Sequence, residues 1–219
     1  GLGLLPLLAF LGGALTTTLV YLLGTREGGT SVTVMLLAGV AITALSGAVI
    51  GLLTYLADDQ MLRNLSLWQM GSLAAGKPVD VGLALATLVA LLWLFMRDAN
   101  PLNALLLGEG EARHLGVNVQ CLKRRLILLT AAGVGVAVAV AGMIGFVGLV
   151  VPHLVRLLAG PNHVRLLPLS ALLGAALLLG ADMLARTLLA PAELPVGIIT
   201  ALLGAPFFIW LLVKSRRTL

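Results

Sequence analysis

The chain has 219 residues, of which 60% are hydrophobic and only 11% are Lys, Arg, Asp or Glu. Ordinary soluble domains carry about 25% charged residues. This chain therefore lacks the polar surface of a soluble domain, and it is too apolar for a disordered segment or a nucleic-acid-binding domain. Its 26 glycines and 9 prolines lie in an otherwise apolar sequence, which indicates a polytopic membrane protein of the all-α class. The single cysteine, Cys121, allows no internal disulfide.

The membrane passes follow from segment length, because a bilayer core about 30 Å thick is crossed by roughly 20 helical residues. Apolar segments of about that length lie at 2–23, 32–57, 79–96, 166–189 and 194–213. Between Arg125 and Arg156 there is a further stretch without any formally charged residue. A continuous helix of that length would span about 45 Å, which is too long for one comfortable pass.

The centre of this uncharged stretch carries Gly142, Gly145 and Gly148, and Pro152 follows. Glycines at this density before a proline predict a turn or a broken helix, so that 126–155 forms a hairpin of two passes. Charge placement favours the same interpretation, because a hairpin puts eleven of the 14 basic residues on the cytoplasmic side. These are Arg26, Arg97, Arg113, Lys123, Arg124, Arg125, Arg156, Arg165, Lys214, Arg216 and Arg217, whereas Arg63, Lys77 and Arg186 fall outside. The sequence therefore predicts a seven-pass helical bundle.

Two segments between passes are long enough to carry function: 58–80 on the outer side and 97–125 on the inner side. The inner segment predicts two short interfacial helices, 103–107 and 109–115, separated by Gly108, with Gly116 as the C-terminal cap of the second. Such helices can fill a groove on a partner protein. They can equally be a plain amphipathic connector that lies on lipid headgroups.

The sequence shows neither a nucleotide site nor a metal site. Residues 71–77 fit the spacing of a phosphate-binding loop, but Pro78 stands where a Ser or Thr should follow, and the segment lies on the outer side. Three separated histidines and one cysteine have no metal-site spacing. His153, which could in principle ligate haem iron, is interpreted as a structural histidine near the glycine-rich break.

Seven strings along the chain resemble the permease subunits of type II bacterial ABC importers for iron chelates, haem and vitamin B12, the FecCD-like permeases. They are LAGVA at 37–41, WQMGSL at 68–73, GEGEARHLGV at 108–117, GFVGLVVPH at 145–153, ADMLAR at 181–186, ELPVG at 193–197 and LGAPFFIW at 203–210. The family usually has about ten membrane helices, so the resemblance implies that the first three are absent. Gly1 leads directly into apolar sequence without an initiator Met, which also suggests a missing start. The chain is therefore expected to be one N-terminally incomplete permease domain, 1–219.

The resemblance assigns the inner loop, 97–125, to the family's coupling helices, which dock into a cleft on the cytoplasmic ATPase. The residues that match are Glu109, Glu111, Ala112, Leu115 and Gly116. It also implies that Arg186 pairs with acidic residues of the periplasmic substrate-binding protein. The alternative for Arg186 is neutralisation by Asp182, four residues earlier on the same helix face, and the two roles are compatible.

The resemblance further implies that helix 32–57 lines the path between two copies of the permease. Its candidate path residues are Thr43, Ser46, Gly47 and Gly51. Ordinary close helix packing explains the same small residues. The expected assembly is a homodimer in the bacterial inner membrane, in contact with lipid, two cytoplasmic ATPases and a periplasmic binding protein, without nucleic acid and without a resident cofactor or metal.

The sequence thus predicts a non-enzymatic permease subunit that passes an iron chelate, haem or a siderophore, into the cytoplasm, while a separate ATPase hydrolyses ATP. Vitamin B12 is the alternative cargo of the same fold. An ion-coupled secondary transporter is a rival class, supported only by Asp182 and the break at 142–148. An intramembrane enzyme is a third class, but no pair of catalytic residues supports it.

Overall fold

The computed structural model describes residues 4–26, 29–74, 76–190 and 192–216. These ranges form ten helices and one two-stranded hairpin, so the predicted all-α class is confirmed. The helices are α1 Leu4–Gly24, α2 Val32–Leu56, α3 Asp59–Met70, α4 Pro78–Arg97, α5 Ala99–Leu105, α6 Glu109–His114, α7 Val119–Ala141, α8 Val147–Ala159, α9 His163–Thr187 and α10 Val196–Arg216. The strands β1 Thr25–Arg26 and β2 Gly29–Thr30 pair antiparallel, with Thr25 opposite Thr30.

The apolar helices coincide with the predicted passes. Four segments are long and apolar enough to cross a membrane: Thr33–Leu56 in α2, and the whole of α4, α7 and α9. Three shorter apolar segments lie in α1, α8 and α10. Together they fit the seven predicted passes, although α8, with 13 residues, is only about 20 Å long. The predicted positions 2–3 and Arg217 lie outside the described residues.

The uncharged stretch breaks where the sequence predicted. α7 ends at Ala141 and α8 begins at Val147, and the intervening backbone turns through positive φ angles at Gly142 (73°) and Phe146 (66°). The break is held against the end of α3, because the backbone N–H of Ser72 donates to the carbonyl of Ala141 at 2.8 Å. A side chain at Gly142 would collide with backbone, since a Cβ there would lie 3.0 Å from the Cα of Gly71.

Contacts at the two ends of the bundle agree with a hairpin. The break lies at one end, together with the start of α10, where a Cβ on Gly197 would lie 3.2 Å from the carbonyl oxygen of Met143. At the other end, the loop after α4 meets the start of α9 through Asn103 and Asn162, whose side chains are 3.0 Å apart. α7 and α8 therefore run between opposite ends, as the prediction of two passes requires.

Two local predictions need correction. The first inner helix spans Ala99–Leu105 and not 103–107, because Pro101 fits the first turn of a helix and the carbonyl of Asp98 accepts the N–H of Leu102 at 2.9 Å. The second inner helix, Glu109–His114, agrees with its prediction to within one residue.

The outer loop contains α3, which was not predicted, and Asp58 caps it by accepting the N–H of Met61 at 2.7 Å.

The helices pack in two groups. α7 packs on α1 and α4, and α1 also packs on α2, whereas α8, α9 and α10 pack on one another. The second group is centred on two buried apolar clusters. One consists of Ala181, Ala185, Val196 and Ile199, and the other of Val151, Val155 and Leu166. α4 contacts α9 directly and joins the groups.

The predicted topology can be tested with the exposed native Cys121 in a protein where it is the single cysteine. We expect an impermeant maleimide added outside intact cells to leave Cys121 unlabelled, since the predicted topology places this end of α7 on the cytoplasmic side. The matched variant Cys121→Ser with Ala74→Cys, in the exposed segment after α3, should be labelled from outside. Labelling of both positions after permeabilisation controls for reactivity, and labelling of Cys121 in intact cells would contradict the topology.

Candidate functional site

The inner loop is built around α6, a short helix with a defined stop. Gly116 adopts a φ of 81°, its N–H donates to the carbonyl of Arg113 at 2.9 Å, and the N–H of Val117 donates to that of Ala112 at 3.0 Å. This pair of bonds is a Schellman motif, in which glycine takes the left-handed position at low steric cost. Gly108, with a φ of 106°, provides the matching turn before the helix. α6 is therefore a short element with both ends fixed by backbone turns.

Two of the five predicted coupling residues hold α6 in place. The side chain of Ala112 is fully buried, with 0% exposure. Glu109 binds Lys123 of α7, with Oε1 2.6 Å from Nζ, and its other oxygen lies 3.6 Å from Arg113. Lys123 is mostly buried, so this ion pair anchors α6 on the start of α7 in a partly desolvated position.

The other predicted residues face outward. Leu115 is 63% exposed, and Glu111 is exposed and has no side-chain partner among the described residues. Leu106 and Leu107, in the turn before α6, are exposed as well. Together these side chains form an apolar surface with one unpaired carboxylate, which we call the loop face. Such a surface can fill a groove that offers apolar walls and a cation.

The base of the loop contains an ion pair that sequence reasoning missed. Asp98, 1% exposed at the end of α4, binds the guanidinium of Arg125 on α7. The second oxygen of Asp98, Oδ2, is buried without a hydrogen-bond partner. A buried carboxylate is costly without a cation, which Arg125 supplies. No local sequence pattern could have revealed the pair, because the two residues are 27 positions apart.

A second missed feature joins the loop to α9. Asn103 of α5 donates through Nδ2 to Oδ1 of Asn162 at 3.0 Å. Its own Oδ1 accepts the backbone N–H of His163 at 2.7 Å and lies 3.0 Å from His163 Nδ1, which donates in the tautomer protonated at that nitrogen. Asn162 also caps α9 by accepting the N–H of Val164 at 3.0 Å. We call these three residues, Asn103, Asn162 and His163, the asparagine clasp.

Arg186 lies in the last turn of α9, at the end of the bundle opposite the loop. Its Nε donates to Oδ2 of Asp182 at 2.8 Å, and its side chain is 46% exposed while that of Asp182 is 18% exposed. The ion pair expected from the four-residue spacing is therefore present. The pair leaves part of the guanidinium of Arg186 open to solvent.

The candidate path residues Thr43, Ser46, Gly47 and Gly51 are all exposed in this chain. Their spacing places them along one face of α2. Thr43 satisfies its own hydroxyl by donating to the carbonyl of Gly39 at 2.8 Å, and a Cβ on Gly47 or Gly51 would meet nothing within 4 Å. These four positions are thus small or weakly polar, and no other described residue covers them.

The described part of the chain contains no group of three or more His, Cys, Asp or Glu side chains that could hold a metal ion. His114 is exposed in α6, His153 is half-buried in α8, and His163 belongs to the asparagine clasp. The phosphate-loop spacing at 71–77 follows α3 and not a strand, and Asp80 caps the next helix by accepting the N–H of Lys77 at 3.1 Å.

A model of the FecCD transport family matches residues 1–214 of this chain. The chain is similar to the hemin transport system permease protein HmuU of Yersinia pestis, with 51% identity over 209 residues that cover 95% of this chain and 62% of the relative. It is also similar to the vitamin B12 import system permease protein BtuC of Vibrio cholerae, with 46% identity over 204 residues, 93% of this chain and 61% of the relative. The chain therefore spans about three-fifths of the length of these curated relatives.

A solved structure, described as an inward-facing conformation of a metal-chelate type ABC transporter, superposes with a TM-score of 0.82 at 33% identity. The match covers 97% of this chain and 74% of that structure. The family model and the solved structure cover nearly the whole chain, and so do relatives that are 46% and 51% identical. On this evidence the chain is a multi-pass membrane protein that belongs to the FecCD transport family.

Proposed function

We propose that this chain is the permease subunit of an ATP-driven importer that moves an iron chelate across the bacterial inner membrane. The observation that carries the proposal is the loop between α4 and α7. Its second helix is fixed at both ends, anchored through Glu109 and Lys123, and presents Glu111 and Leu115 outward. The residues that would contact a docked protein are separate from the residues that anchor the helix. A displacement imposed by the docked protein can therefore pass through the anchors to the membrane helices.

In the proposed mechanism, two cytoplasmic ATPase subunits supply the energy, one docked on the loop face of each copy in a homodimer. Closure of the ATPases displaces the loop, and its anchors pass that displacement to the attached helices as rigid bodies. The exposed, small-residue face of α2 supports the pairing of two copies, because in one copy it has no covering helix among the described residues.

An iron chelate, haem or a siderophore, is the proposed cargo, and vitamin B12 is the second candidate. The identity to the hemin permease, 51%, exceeds that to the vitamin B12 permease, 46%, and the superposed structure is described as a metal-chelate transporter. No cluster of metal-ligating side chains lies on the described residues of the path, so the chelator and not the protein would hold the iron.

On the outer side, we propose that Arg186 helps dock a periplasmic binding protein that delivers the cargo. Its partly exposed guanidinium, oriented by Asp182, is suited to a carboxylate on a partner. The lipid bilayer surrounds the assembly, and ATP hydrolysis takes place in the separate subunit.

The proposed cargo can be tested by uptake into proteoliposomes that hold the full-length permease, its ATPase and its binding protein. We expect ATP-dependent uptake of radiolabelled haem or ferric siderophore, with unlabelled vitamin B12 competing poorly. A vitamin B12 preference would replace the cargo within the same function. Uptake driven by an ion gradient without ATP would contradict the proposed function itself.

Coupling can be tested at Gly116, whose left-handed φ is costly for a β-branched residue. Gly116→Val should cost about 1–2 kcal/mol in the native turn and reduce ATP-dependent uptake about tenfold. Gly116→Asn is the matched control, because Asn tolerates the same conformation, and it should retain most uptake. A Cβ at this position meets nothing within 4 Å, so the difference between the variants reports backbone conformation and not a clash. Equal uptake by both variants would count against the assignment.

Docking can be tested by charge reversal at Arg186. Arg186→Glu should weaken binding of the periplasmic protein by about tenfold at low ionic strength and by less at high salt, because added ions screen an exposed pair. Arg165→Glu, at the other end of α9, is the matched control and should leave this affinity unchanged. Surface plasmon resonance over a salt series measures both. An affinity for Arg186→Glu that equals the unaltered value at every salt concentration would refute the docking role.

A further inference from the structure

The two short helices of the loop are attached to different helix groups. α6 is bound to α7 through Glu109 and Lys123, and α7 packs with α1 and α4. α5 is bound to α9 through the asparagine clasp, and α9 packs with α8 and α10. The loop therefore connects the two groups at their cytoplasmic end, beside the direct contact between α4 and α9.

The clasp is a specific connection and not only a packing contact. The amide of Asn103 donates with Nδ2 to Asn162 and accepts with Oδ1 from His163, so both ends of one planar group are used. Both partners lie at the first turn of α9, where backbone N–H groups lack partners within the helix. An apolar side chain at 103 would leave these polar groups without that partner. Among the described residues, no other side chain of α5 hydrogen-bonds to α9.

We infer that Asn103 is the positioning residue that makes α5 and α9 move as one body when the loop is displaced. This inference rests on the proposed coupling function and adds the route by which the displacement reaches the second helix group. α9 has 25 residues and is about 37 Å long, so it carries the motion to the outer end, where Asp182 and Arg186 lie. Displacement of α6 thus moves the helices that pack with α7, and Asn103 transmits the displacement of α5 to the helices that pack with α9.

The test uses the full-length permease assembled with its ATPase and binding protein. Asn103→Leu keeps the size of the side chain and removes its polar contacts. We expect co-purification of the ATPase and basal ATP hydrolysis within about twofold of the unaltered complex, because the loop face is unchanged. Uptake should fall roughly tenfold or more, since two or three hydrogen bonds that hold α5 to α9 are lost.

Asn162→Asp is the matched control. Its carboxylate still accepts from Val164 and from Asn103 Nδ2, so the cap and the clasp both persist. Uptake by this variant should stay within about twofold. If Asn103→Leu leaves uptake unchanged, or lowers hydrolysis, ATPase binding and uptake in proportion, Asn103 has no separate transmitting role. If the unaltered permease does not bind its ATPase at all, the proposed function fails, and not only this inference.

A covalent tether tests the inference even if Asn103→Leu folds poorly. In a Cys121→Ser background, Asn103→Cys with His163→Cys removes the clasp, and uptake should be low under reducing conditions. A short, reducible bifunctional thiol reagent that joins the two cysteines should restore uptake severalfold, and reduction should abolish it again. Uptake that the tether fails to raise, or lowers further, shows that α5 and α9 must separate during transport and overturns the inference.

Discussion

The arrangement of this bundle depends on a close approach of backbones at the end where α3, α7 and α10 meet. Gly71 after α3, Gly142 after α7 and Gly197 at the start of α10 meet there, and a Cβ on Gly71 would lie 2.8 Å from the carbonyl oxygen of Met143. Because only glycine permits these distances, the long uncharged stretch can fold back beside α3 and does not continue as one helix. The return of α8 to the other end then brings His163 to the side where Asn103 lies.

The apolar helices could be predicted because their signals are local: segment length, charge placement and the cluster of glycines with Pro152. α3 was missed although a local signal existed, since Asp58 is a good N-cap and precedes a helical sequence. The predicted first inner helix, 103–107, begins four residues after the observed one. The prediction includes the exposed Leu106 and Leu107, which follow the helix, and overlooks that Pro101 fits its first turn. These errors concern boundaries and polar loops, where hydrophobic length carries no information.

The candidate site was predictable only in part, because resemblance does not separate anchoring residues from contacting ones. Ala112 is buried and Glu109 binds Lys123, so both build the loop, whereas Glu111 and Leu115 face outward. The residues that join the loop to the bundle were not predictable at all. Asp98 and Arg125 are 27 positions apart, and Asn103 and His163 are 60 apart, so each contact exists only after the helices have packed.

For the proposed importer, the division of the loop into anchoring and contacting residues also bears on how the cargo is released. Thr43 on the proposed path is satisfied by its own helix, and the neighbouring Gly47 and Gly51 add no side chain, so α2 offers the cargo few polar groups. Small, weakly polar positions do not by themselves favour one direction, because a ligand shifts a conformational equilibrium only by its differential affinity for the two states. In the proposed mechanism, direction comes from the ends of the helices, where the loop on one side and Arg186 on the other provide charged and hydrogen-bonded contacts. α9, which carries the asparagine clasp at one end and Arg186 at the other, is the helix that contains both.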